Sequence, residues 1–159
     1  MSAAAQEANY GRQRTLIVDA RPVTRAYLRF DIDLKKGHVS RVNLLLYSRS
    51  PSRLGCHVRL VTESWRERRI TYDNAPRLSS RFVSSGRLRA RAWKAVDVTS
   101  LVGDEDDEVN IALTTVAPAG IVFASRESGL IGPRLVVERN DDDRGKQPTT
   151  EPPPARPAP

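Results

Sequence analysis

Trp65, Arg66, Arg68, Arg69 and Tyr72 fall within eight residues, so that an indole and a phenol bracket three guanidinium groups and the carboxylate of Glu67. Aromatic rings offer flat faces against which the C–H side of a pyranose packs. Guanidinium forks capture carboxylates, sulfates or phosphates through paired hydrogen bonds. The pattern suits binding of a sugar, and of an acidic sugar in particular. Trp65 has a second reading, as a large anchor that closes one end of a core. Bond-breaking chemistry has weaker support. The chain contains no Gly-rich phosphate loop, no Gly-x-Ser-x-Gly turn and no histidine beside a nucleophile in a recognisable motif. Carboxylate pairs for glycoside hydrolysis can be drawn from Asp31, Asp73, Asp97 or Glu127, as they can in nearly any chain. The chain reads as a binding protein and not an enzyme.

Soft metal ligands are scarce. Cys56, His38 and His57 are the only cysteine and histidines, too few for a structural zinc site, and a lone Cys forms no intrachain disulfide. Cys56 reads as a small buried hydrophobe. Calcium, which needs only oxygen ligands, stays open. The net charge of +7 is carried by arginine, 22 of the 26 basic residues, with Lys35, Lys36, Lys94 and Lys146 the exceptions. A codon preference explains that bias as readily as an anionic partner does. The densest basic stretches, Arg66 to Arg69 and Arg87 to Arg91, read as solvated loops. If they share one side with Arg12, Arg14 and Arg53, their summed field steers and holds a polyanion.

The elements that must position these groups alternate at period two. Strands are predicted at 16–19, 25–32, 40–47, 56–61, 70–72, 81–84, 93–98, 109–115, 121–125 and 134–138. Ala26, Leu28, Phe30 and Ile32 share one face of the second, and Tyr27, Arg29 and Asp31 the other. Turn signals at Lys36-Gly37, Pro51-Ser52 and Pro118-Ala119-Gly120 separate them. The spacing points to an all-β, antiparallel β-sandwich, jelly-roll-like, in one domain. A single helical turn is predicted at 98–102, with Thr99 as its cap, followed by an exposed acidic loop at 104–108. Asn74 and Pro76 read first as turn chemistry.

Both ends are unpatterned. Residues 1–8 read as a disordered or truncated segment, 9–139 as the sandwich module, and 140–159 as a Pro-rich tail. Six of the eleven prolines fall in 148–159, as expected of an extended linker to a neighbouring domain. No apolar run is long enough to span a bilayer. Met1 to Glu7 lacks the basic and apolar regions of a secretory signal, which fits a fragment of a longer chain.

Three segments in order, Tyr27-Leu28-Arg29-Phe30-Asp31, Trp65 to Pro76, and Phe123-Ala124-Ser125-Arg126-Glu127, resemble the DNRLRE-type domain, also described as carbohydrate-binding module family 96. Asn9-Tyr10-Gly11 is similar to the family's entry to its first long strand. The resemblance spans Asn9 to Glu138. It implies an extracellular or cell-surface, non-catalytic, sugar-binding β-sandwich. Similar modules accompany alginate lyases and other wall- or matrix-directed enzymes, and the basic loops suit a polyuronate as partner, with a neutral glycan the alternative. The family's earlier strand, with its Asp-Thr-Tyr-like stretch, has no counterpart here, and Glu127 is left as the one weak metal candidate. The candidate sugar-contacting residues are Tyr10, Arg12, Arg14, Trp65, Arg66, Arg69, Asn74 and Arg126. A structural or adhesion spacer without a tight glycan ligand is the alternative. Specific nucleic-acid recognition is not expected, because a sandwich without a recognition helix binds DNA through charge alone.

Overall fold

In the computed structural model, which describes residues 1–34, 38–103 and 107–140, two antiparallel sheets pack face to face as a sandwich. The strands are β1 (Thr15–Ala20), β2 (Val23–Thr24), β3 (Ala26–Asp31), β4 (His38–Ser48), β5 (His57–Leu60), β6 (Val83–Ser84), β7 (Ala92–Asp97), β8 (Glu108–Thr114), β9 (Ile121–Ala124) and β10 (Arg134–Asn140). One sheet runs β10-β4-β9-β1-β2, with β7 also paired to β4, and the other runs β3-β8-β5-β6.

The alternation read from the sequence decides which side chains meet. Along β4, Val42, Leu44, Leu46 and Ser48 point inward, and β9 adds Ile121 and Phe123. From the facing sheet come Val58, Val109, Ile111 and Leu113. All of these are at most 1% exposed, and stacking two such faces is what gives a sandwich its stability. Cys56 lies in this core as expected, and burial pushes its thiol pKa up to about 11.

Two local expectations are corrected. Residues 70–72 form no strand: Ile70 N–H bonds to the Arg66 carbonyl in a turn, and the Asn74 carboxamide takes up Thr71 N–H and the Arg69 carbonyl. Thr99 does not cap the 3-10 turn Thr99–Leu101, whose N-cap is Val98. Its hydroxyl instead accepts from Val42 N–H at 2.9 Å and donates to Asp97 Oδ1 at 2.6 Å. That second bond, ahead of the Arg41 charge, lowers the Asp97 pKa. The sequence pattern also misses the β1–β2 hairpin, which turns at a cis Arg21–Pro22 bond. The acidic loop lies outside the described residues at 104–106, as does the tail beyond 140.

Gly55 and Gly129 share a φ of 67°, a conformation that suits glycine, but their surroundings differ. A Cβ on Gly55 would stand 1.9 Å from the Gly86 carbonyl oxygen, whereas one on Gly129 would meet nothing within 4 Å. Gly129→Ala should cost about 1 kcal/mol of unfolding free energy from backbone strain alone. Gly55→Ala should cost well above that. Equal costs in urea unfolding would show that the close approach does not matter.

His57 stacks on Phe82 at 4.2 Å, and the Arg59 guanidinium lies 4.8 Å from the centre of the same ring. Burial, and then Arg59, lowers the imidazole pKa from 6.5. The unfolded chain therefore takes up this proton first, so the stability linked to His57 is complete above the unfolded pKa and is lost as pH falls through the folded one. Melting curves between about pH 7.5 and 5 should show a fall that is shallower in His57→Gln. Parallel curves would contradict this assignment.

Candidate functional site

β3 is an edge strand of one sheet, and β1, covered on its outer side only at its end by the two-residue β2, lies near the edge of the other; between them opens a cleft of about 660 Å³. Leu16, Leu28 and Phe30 line it from within, because the inward faces of both strands are only partly covered there. Hydrogen-bond alternation fixes what the backbone offers. Arg25 exchanges both of its main-chain bonds with Met1, and Ile32 N–H bonds to Asp107 on the β8 side. The N–H and C=O groups of Tyr27, Arg29 and Asp31 consequently point into the cleft and not to β8. An open edge of this kind presents ready hydrogen-bond partners.

The Asn9-Tyr10-Gly11 turn closes one end. Asn9 Nδ2 donates to the Glu67 carbonyl at 2.6 Å and to the Ile70 carbonyl at 2.7 Å, while Asn9 Oδ1 accepts from Gly11 N–H. Gly11 lies so close to this segment that a Cβ would meet the Glu67 carbonyl oxygen at 3.0 Å. Tyr10 is left 40% exposed at the mouth. Trp65 packs edge-to-face on Tyr27, centroids 5.9 Å apart, and so covers the outer side of β3 and not an end of the core. The Trp65 indole N–H and the Tyr27 hydroxyl are buried without a hydrogen-bond partner among the described residues. Burial raises the Tyr27 pKa, and nearby Arg25 opposes the shift without forming a well-aligned bond to the hydroxyl. Unpaired buried donors are costly, so two of them in residues lining one cleft favour a water or ligand oxygen there.

The third wall is the corner after β9. Ser125 caps the 3-10 segment Arg126–Ile131 by accepting from Glu127 N–H, and it donates to the Gln13 carbonyl at 2.6 Å. Arg126 Nη2 reaches Glu67 Oε2 at 2.9 Å and Glu127 Oε1 at 3.4 Å. The Glu67 charge raises the Arg126 pKa further. Because both partners are well exposed, the pair positions side chains more than it stabilises the fold.

Of the residues singled out from sequence, Tyr10, Trp65, Arg126 and Glu127 line the cleft. Arg12 and Arg14 are exposed beside it, alternating with the lining residues Gly11, Gln13 and Thr15. Arg66 and Arg69 are exposed on the neighbouring segment without lining it, and Asn74 holds its own turn. Tyr27, Arg25 and Arg29 also line the cleft and were not singled out. Their strand was read by face, and the outer face of a strand gives no sign in sequence of whether a neighbour covers it. Glu127, the weak metal candidate, pairs with Arg126, and no three His, Cys, Asp or Glu side chains gather among the described residues.

Asn9→Ala removes two bonds to carbonyl oxygens, one of them part-buried, and should lower the unfolding free energy by about 1–3 kcal/mol. Arg126→Ala should cost less than about 1 kcal/mol. The reverse order in urea titrations would overturn this ranking of the two contacts.

No curated protein matches the chain. The family profile of carbohydrate-binding module family 96 matches residues 1–139, taking in the first eight residues together with the sandwich, and the protein belongs to that family.

Proposed function

We propose that this module binds an acidic polysaccharide, a polyuronate such as alginate, without cleaving it. The observation that carries the reading is the contact of the 9–11 turn with the 65–70 segment. Asn9 and Gly11 sit against Glu67 and Ile70, so the turn bearing Arg12 and Arg14 lies beside the segment bearing Arg66 and Arg69. None of those four arginines forms an ion pair with a described residue. Inside the cleft, Arg126 is held by Glu67 and Glu127 and Arg29 lies 3.6 Å from Glu108, while Arg25 lies over the Tyr72 ring at 5.3 Å. The unneutralised rim therefore supplies the attraction to carboxylates, and Tyr10 with the open edge of β3 supplies stacking and hydroxyl contacts.

An extracellular or cell-surface setting accords with such a ligand, and no helix among the described residues is long and apolar enough to cross a membrane. The Pro-rich segment to residue 159 would tether the module to a neighbouring domain that it concentrates on the polymer. Affinity electrophoresis through gels holding alginate, pectin or a neutral β-glucan tests the reading. Alginate or pectin should retard the protein at moderate salt, and an Arg12→Ala/Arg14→Ala variant should run nearly free. Equal retardation by neutral glucan would replace acidic selectivity with plain stacking. Release of reducing ends from any of these polymers would refute the non-catalytic assignment.

A further inference from the structure

The outer face of the six-stranded sheet carries an aromatic patch that the cleft does not use. β4 and β7 pair Tyr47 with Trp93, and the rings meet edge-to-face at 5.5 Å. Trp93 is 43% exposed although it sits within a sheet. Arg134 of β10 crosses to it, with its guanidinium 5.4 Å from the indole centre and a donor bond to the Leu130 carbonyl that fixes its position. Arg49, just past β4, donates to Ser128 Oγ at 3.2 Å. Neither arginine forms an ion pair with a described residue. Farther along the same face Arg41 pairs with Asp97, and Glu138 accepts a hydrogen bond from the Asn43 carboxamide.

Ser128 connects this patch to the basic rim. The hydroxyl that accepts from Arg49 donates to the Arg14 carbonyl at 2.6 Å. A flat, partly exposed indole with one held guanidinium against it, Arg134, and a second, Arg49, just past the strand it pairs with, matches a pyranose ring that bears a carboxylate: the ring stacks and the carboxylate pairs. A protein partner would call for a broader apolar area than one indole and its neighbours.

We propose that Trp93, Arg134 and Arg49 form a second uronate subsite, continuous with the Arg12 and Arg14 rim across Ser128. The inference rests on the polyuronate reading above. It makes the module a track for an internal stretch of polymer, so that long chains bind more tightly than short ones by engaging both parts at once.

The test compares the unmodified protein with Trp93→Ala, Arg134→Ala and the Arg12→Ala/Arg14→Ala variant in alginate gels. Trp93→Ala and Arg134→Ala should each weaken retardation by about tenfold, with Arg134→Ala keeping its melting temperature. In indole N–H NMR spectra, the Trp93 signal, identified by its absence in Trp93→Phe, should shift on addition of a long alginate oligosaccharide. Unchanged retardation in both single variants, or a static Trp93 signal, overturns the subsite and leaves the rim reading standing. Failure of the unmodified protein to bind any polyuronate overturns both.

Discussion

The Asn9 carboxamide, bonded to the carbonyl oxygens of Glu67 and Ile70, is the contact on which the binding side of the protein turns. The chain from Val61 to Phe82 has no ladder of its own, yet its polar main-chain groups still need partners. Side chains supply them. Asn74 satisfies Thr71 and Arg69, Arg59 donates to the carbonyls of Ser79 and Ser80, and Arg29 reaches Trp65. Ile70 and Pro76 are buried as apolar anchors between these points. Only with the segment held in this way does Trp65 stay against Tyr27, and does Glu67 stand where Arg126 can meet it.

Glu67 therefore has two functions at once. Its main chain is fixed from the amino-terminal turn, and its side chain fixes the corner after β9. Three stretches far apart in sequence share this residue as a meeting point. The stronger interactions are the Asn9 bonds to main-chain carbonyls, one of them part-buried, and the exposed ion pair adds orientation. Such a division keeps a binding edge shaped without depending on surface charge, which salt would screen.

The sandwich was legible in the sequence because period-two alternation reports burial directly: Val42, Leu44 and Leu46 on β4, and Val109, Ile111 and Leu113 on β8, all lie inward. What alternation could not report was the fate of residues 70–72, where β-prone side chains are claimed by turn bonds from Arg66 and Asn74. The candidate site was half legible. Tyr10, Trp65, Arg126 and Glu127 converge because their segments carry distinctive turn and corner residues. Arg25, Tyr27 and Arg29 did not stand out, since only the three-dimensional arrangement shows that β3 is left unpaired on one side. Trp93 was read merely as the start of a strand, and its 43% exposure is a property of the sheet's outer face.

The pairing of Met1 with Arg25 sets a direction as well as a contact. Ser2 bridges Thr24 and Ala3 N–H bonds to the Val23 carbonyl, so the chain runs antiparallel to β3 and reaches Arg25 at its first residue. Any polypeptide joined ahead of Met1 would be delivered along the unpaired groups of Tyr27, Arg29 and Asp31. An affinity tag or fusion partner fused at that end would compete with whatever the cleft receives, and its linker would behave as a tethered, high-concentration inhibitor.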